Sequence, residues 1–223
     1  MFTGIIEAVG RIKAIKASSN GARIDIDTAS LDMNDVKLGD SIATNGVCLT
    51  VISFDKSHFS ADVSSETLAR TGLGSYGVGQ AVNLEKAMLP TTRFGGHMVS
   101  GHVDAVVEIL AIKNRGNSID YWLQMPAELA PYIAEKGSIT IDGVSLTVNA
   151  LSDDKFRLTI VPHTTAQTII SQYKTGMRVN IEVDLIARYI ERLLLKQTAN
   201  QSESKASSGI TEALLMRSGF IKN

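Results

Sequence analysis

The side chains best suited to proton transfer or nucleophilic attack near neutral pH are few in this chain: one cysteine, Cys48, and four histidines, His58, His97, His102 and His163. Zinc binding does not fit them, because the histidines show no ligand spacing and a lone cysteine offers no thiolate pair. If His97 and His102 share a strand, their odd separation points them to opposite faces and leaves one of them structural. Nucleotide motifs fail as well. Gly72-Leu73-Gly74-Ser75-Tyr76-Gly77 matches G-x-G-x-x-G but precedes a strand-like stretch, where the motif must open a helix, so it reads as an ordinary loop. No P-loop is present. Proton transfer remains as the chemistry these residues could perform.

An internal repeat says more. Met1-Phe2-Thr3-Gly4-Ile5-Ile6-Glu7-Ala8-Val9 returns as Met98-Val99-Ser100-Gly101-His102-Val103-Asp104-Ala105-Val106, an offset of 97 residues. The same offset aligns Gly46 with Gly143, Leu49-Thr50-Val51 with Leu146-Thr147-Val148, Asn83 with Asn180 and Glu85 with Glu182. One insertion is expected, because Gly39 matches Gly137 at an offset of 98. At roughly 90 residues each, the copies are duplicated domains, since solenoid units run to about 20–50 residues. Their differences are directional: Ile5 becomes His102, Cys48 becomes Ser145, Glu66 becomes His163, Leu38 becomes Lys136 and Ala87 becomes Asp184. Copy two thus gains His102, Lys136 and Asp184 where copy one is apolar. Plainer roles stay open: a hydrogen-bonded structural histidine, solvated rim charges at Lys136 and Asp184, and a small buried hydrophobe at Cys48.

The elements that must position these residues are mostly strands. Asn45-Gly46 and Asp142-Gly143 each separate two alternating runs, a strong hairpin signal because both turn positions need positive φ. Alternation puts Val47, Leu49 and Val51 on one face with Cys48 and Thr50 on the other, and repeats this with Val144, Leu146 and Val148 against Ser145 and Thr147. A short helical turn is expected after Ser64-Ser65-Glu66-Thr67 and another after Pro162-His163-Thr164, where Thr164 and Gln167 fit a capping box. Closing strands run through 81–84 and 178–181. The expected fold is mainly β: two tandem six-stranded Greek-key β-barrels, over 1–96 and 97–184, followed by a C-terminal α-helix. That helix is expected over 185–197, where Leu185, Ile186, Tyr189, Ile190, Leu193 and Leu194 recur at helical spacing. Its stripe could pack on its own domain or form a subunit contact. Residues 198–223 read as a polar mobile tail, with a short helix over 210–216.

Composition sets outer limits. With 44% hydrophobic residues and a net charge of -1, the 223-residue chain has no basic excess for nucleic acid. No run is long enough to span a bilayer and the amino terminus lacks a signal-peptide pattern, so a cytoplasmic location is expected. A single cysteine suits a reducing compartment.

Four long motifs carry a family resemblance: Met1 to Glu7, Asn45 to Val51, Gly95 to Asp104, and Lys136-Gly137 with Ile141 to Val148. Over about residues 1–190 the chain resembles the riboflavin synthase family of lumazine-binding repeats; the tail after Gln197 is not covered. The resemblance implies a cofactor-free, metal-free dismutation of two 6,7-dimethyl-8-ribityllumazine molecules. It also implies a homotrimer assembled by the C-terminal helix, with substrate held between the first barrel of one subunit and the second of another. Whether lumazine synthase associates with the chain is left open. Implied substrate contacts in copy one are Gly4, Ile5, Ile6, Ser41, Cys48, Leu49, Thr50, Asp62, Val63, Ser64, Ser65, Glu66 and Thr67. In copy two they are Gly101, His102, Val103, Lys136, Ser145, Leu146, Thr147, Thr159, Ile160, Val161, Pro162, His163 and Thr164. The expected catalytic set is Cys48, His102, Ser145, Thr147 and Asp184. His102 with Ser145 or Thr147 would move protons, while Cys48 and Asp184 assist addition and orientation. Two competing classes are a non-catalytic lumazine-binding antenna protein and a flavin-dependent oxidoreductase.

Overall fold

A computed structural model describes residues 1–194 and 216–217. Met1–Leu185 form one compact unit with two large hydrophobic cores, and the described residues from Ile186 on fall in a separate unit. The expected terminal helix is present over 185–194, and its Ile186, Tyr189, Ile190, Leu193 and Leu194 side chains are exposed. The remainder of that helix and the tail lie outside the described residues, apart from 216–217.

Copy one comprises β1 (Ala8–Ser18), β2 (Gly21–Asp27), β3 (Ser41–Thr44), β4 (Val47–Thr50), β5 (Ser53–Phe54), β6 (His58–Ser64), α1 (Ser65–Arg70) and β7 (Ala81–Lys86). Copy two comprises β8 (Ala105–Asn114), β9 (Ile119–Gln124), β10 (Ser138–Ile141), β11 (Val144–Ser152), β12 (Lys155–Ile160), α2 (Pro162–Gln167) and β13 (Arg178–Val183). Copy two closes into the expected six-stranded barrel, in the order β10-β11-β12-β9-β8-β13. Copy one departs from six: it is a seven-stranded sheet in the order β4-β3-β7-β1-β2-β6-β5. The cause is local. The stretch that runs continuously as β11 is interrupted at Val51 and Ile52, which splits it into β4 and β5 at the two ends of the row. Strand alternation sets both cores, with Ala22, Ile24 and Ile26 pointing inward from β2 and Phe156, Leu158 and Ile160 from β12. Phe59 and Phe156, fully buried at matching positions, each contribute roughly 1.5–3 kcal/mol by leaving water.

Both hairpin signals hold: φ is +46° at Asn45 and +78° at Gly46, and +44° at Asp142 and +80° at Gly143. Both short helices form but begin earlier than expected, at Ser65 and Pro162, and their caps differ. Ser64 caps α1 by accepting from Thr67 N at 3.1 Å. The capping box at Thr164 and Gln167 does not form, because α2 begins at Pro162 and Thr164 lies inside it. Proline supplies no N–H at the first helical position and has the helical φ built in, so that end needs fewer cap partners. The inserted residue is also corrected. Gly39 N donates to Val51 O and Lys136 N to Val148 O, so Gly39 corresponds to Lys136 at the common offset of 97. Backbone conformation explains why residue type misled: Lys136 takes φ +65° where Gly39 takes +89°.

The hairpin tips meet between the barrels. Asn83 Nδ2 donates to Asp142 O at 2.9 Å and Asn180 Nδ2 to Asn45 O at 2.8 Å. The other side of each amide accepts from the opposite copy, Asn83 Oδ1 from Ile169 N and Asn180 Oδ1 from Gly72 N. Gly72–Ser75 is accordingly a 3-10 turn in this seam, with a structural task. Asn180→Ala would strand a buried N–H and a buried carbonyl, and should cost about 2–4 kcal/mol. Urea unfolding at constant pH measures this; a loss under about 1 kcal/mol would mean that the seam is not holding the barrels together.

Candidate active site

Two irregular arms, one before each barrel, cross at the seam. Phe2 and Val99, equivalent by the repeat, pair with each other: Phe2 N donates to Val99 O at 2.8 Å and Val99 N to Phe2 O at 3.1 Å. Beyond that point each arm runs onto the other copy. Gly4 O accepts from Ser145 N at 2.8 Å, and Gly101 O accepts from Cys48 N at 2.9 Å. Ile6 packs on the core of copy two, Val103 on that of copy one. Both crossing points require glycine. With φ near +80°, a Cβ at Gly4 would lie 2.6 Å from Ser145 Cβ, and one at Gly101 would lie 2.7 Å from Cys48 Cβ.

The crossing sorts the expected residues into new groups. Cys48, Ser64, Glu66, Thr67, Gly101, His102 and Val103 line one cavity of about 230 Å³, so residues from both copies share it. His102 is exposed at this cavity and its backbone N–H donates to Ser100 Oγ. The structure therefore does not join His102 to Ser145 or Thr147. Ser145 instead meets His97, with Nδ1 and Oγ 2.8 Å apart. Burial pushes the His97 imidazole below its ordinary value, while the Asp184 charge works in the opposite direction. A neutral ring protonated at Nε2 can accept the Ser145 hydroxyl proton at Nδ1. The comparison of copies missed His97 because it immediately precedes Met98, the first position with a counterpart in copy one.

Other expected contacts are scattered. Leu49, Val63 and Ile160 are buried in the cores and Leu146 packs against one, because alternation turns their side chains inward. Thr50 and Thr147 are exposed on the opposite strand faces. Asp62 lines an open groove of about 700 Å³ with Val63 and Ser64; the Arg23 guanidinium hydrogen-bonded to it holds its carboxyl below the usual range. Ser41 lines a separate cavity of about 190 Å³, and Ile5 one of about 390 Å³. Thr159 is engaged by Asp120 and Asn149. Lys136, Ser65, Val161, Pro162 and His163 are exposed, and Thr164 is half-buried. Among the described residues no cluster of three or more His, Cys, Asp or Glu could hold a metal, and no helix is long and apolar enough to cross a membrane.

The Lumazine binding domain family matches residues 3–87 and again 100–184. Riboflavin synthase of Photobacterium phosphoreum is 55% identical, with 99% of this chain and 100% of the relative covered. The Bacillus subtilis riboflavin synthase is 44% identical over the same shares. Among solved structures, LumP complexed with riboflavin superposes with a TM-score of 0.76 at 24% identity, covering 82% of this chain and 99% of that one, which supports the fold. With identity of this order along its full length and two lumazine-binding domains in tandem, the chain belongs to the riboflavin synthase family.

Proposed function

We propose that the chain is a transferase that converts two molecules of 6,7-dimethyl-8-ribityllumazine into riboflavin and 5-amino-6-(D-ribitylamino)uracil, the final step of riboflavin biosynthesis. One substrate gives a four-carbon unit to the other. The two products together contain all the atoms of the two substrates, so the reaction needs no external oxidant or reductant. Identical substrates in unlike roles call for two related but unequal sites.

One observation carries this reading: the crossed arms build two equivalent positions with different chemistry, His102 beside Cys48 and His97 hydrogen-bonded to Ser145. The acidic C7 methyl of a lumazine near Cys48 would lose its proton to His102, whose exposed imidazole can exchange it with water. Ser145, hydrogen-bonded to the His97 ring that the Asp184 charge acts on, would serve the other lumazine, relaying a proton from substrate to that ring as the substrate is attacked and opened. Thr147 and Lys136, exposed on the same copy, would orient that substrate's polar tail. The two sites belong to opposite barrels, and a homotrimer that brings the first barrel of one subunit to the second barrel of another would pair them. The exposed apolar stripe of the helix over 185–194 is suited to hold such an assembly.

Purified protein given 6,7-dimethyl-8-ribityllumazine alone should form one riboflavin per two substrates consumed, followed by flavin fluorescence. Tight binding without product would instead support the antenna reading.

A further inference from the structure

The repeat pairs Glu85 with Glu182, and each is a buried carboxylate on the closing strand of its barrel. The donors that hold them are neutral. Glu182 Oε1 accepts from Ser100 N and Ser100 Oγ, both at 2.7 Å, and its Oε2 accepts from Gly101 N at 3.1 Å. Glu85 repeats this on the first arm, with Thr3 N and Thr3 Oγ1 at 2.7 Å and Gly4 N at 3.0 Å. Three donors converge on each carboxylate, a geometry that an anion satisfies and an amide cannot. Burial nonetheless pushes both carboxyls above their ordinary value, so their retention at these sites has a cost.

The arms carry this hold across the seam. Gly101, fixed by Glu182, accepts from the backbone of Cys48, and Ser100 Oγ accepts from His102 N. Gly4, fixed by Glu85, accepts from the backbone of Ser145, and Thr3 O accepts from His97 N. We propose that Glu182 and Glu85 are crossed positioning residues: Glu182 in the second barrel sets the geometry of the Cys48 and His102 site on the first, and Glu85 in the first sets that of the Ser145 and His97 site on the second. Neither residue takes part in the chemistry.

Substitution by glutamine makes the prediction directional. In Glu182→Gln the amide oxygen can stay on the two Ser100 donors, which leaves the new NH₂ against Gly101 N–H, two donors face to face. The displacement then falls on Gly101, and so on Cys48. Glu85→Gln produces the same conflict at Gly4, and so at Ser145.

Cys48 is the chain's only cysteine, so maleimide labelling of the full-length protein reads its site alone. Glu182→Gln should change the labelling rate by about 10-fold, the size expected from one lost charge-assisted hydrogen bond, with less than about 2-fold change in Glu85→Gln. Both variants should lower kcat about 10-fold or more with KM nearly held, since the reaction needs both sites. The kinetic arm rests on the proposed reaction; the labelling arm does not, so the two can fail separately. Equal labelling changes in the two variants, or a larger one in Glu85→Gln, would overturn the crossed assignment. If either glutamine variant does not fold, Ser100→Ala and Thr3→Ala remove one donor from each carboxylate and should show the same asymmetry at smaller amplitude.

Discussion

His102→Gln is expected to lower kcat by about 100-fold while leaving lumazine binding nearly intact, the low end of what a positioned base contributes. Glutamine preserves much of the side chain's length and polarity but cannot take up a proton. Because His102 is exposed and its backbone anchor is Ser100 Oγ, the substitution leaves the arm in place. His97→Gln separates the two histidines. There the amide can still reach Ser145 Oγ, so its loss should be smaller than that of His102→Gln and smaller than that of Ser145→Ala. Steady-state kinetics with direct ligand titration gives both quantities. Wild-type kcat in His102→Gln would remove that residue from the proposed chemistry.

Asp142→Asn should stabilise the protein at pH 8 and do little at pH 4. The carboxyl is fully buried at the seam, and burial pushes it from 3.8 up to about 7 against the hydrogen bonds from Tyr173 and Asn180 N. A raised folded value means that the native state holds the proton more tightly than the unfolded chain. Stability from this group is therefore fully present below about pH 3.8 and lost as the pH rises through about 7. The full interval corresponds to on the order of 4 kcal/mol, or roughly 10 °C in Tm for a chain of this size. Copy one shows that the seam accepts the amide: at the equivalent position, Asn45 Oδ1 accepts from Asn83 N and its Nδ2 donates to Tyr76 Oη. Tm measured from pH 4 to pH 8 should diverge between wild type and variant. Parallel curves would show that Asp142 does not carry this titration.

Much of the scaffold could be read locally. The two hairpins needed only Asn-Gly and Asp-Gly between alternating runs, because the positive φ that such a turn demands is a property of the turn residues themselves. The closing strands and both short helices followed from periodicity and local signals. Local signals failed where backbone geometry overrode residue type. Glycine identity suggested an insertion at Gly39 and Gly137, but Lys136 adopts the left-handed conformation and the register runs through without one. The break that splits β4 from β5 also left no clear mark, since Val51-Ile52-Ser53 reads as a continuous strand.

The candidate site could be drawn from the sequence as a set of residue types, but the grouping of those residues in the fold could not. The repeat marked Asn83 with Asn180 and Glu85 with Glu182 as matched positions, without giving either pair a task. It also set His102 beside Ser145, because both belong to copy two. The fold places His102 with Cys48 and gives Ser145 to His97. The amino-acid order was enough to establish the duplication, the strand faces and the unequal ionisable content of the copies, since these depend on residues within one element or on a constant offset. The exchange of arms depends on contacts some 80 residues apart, such as Glu182 with Ser100 and Glu85 with Thr3. Arms with no regular hydrogen bonding of their own carry no periodic signal, and their course is set by the buried carboxylates and hairpin backbones that satisfy their N–H and C=O groups.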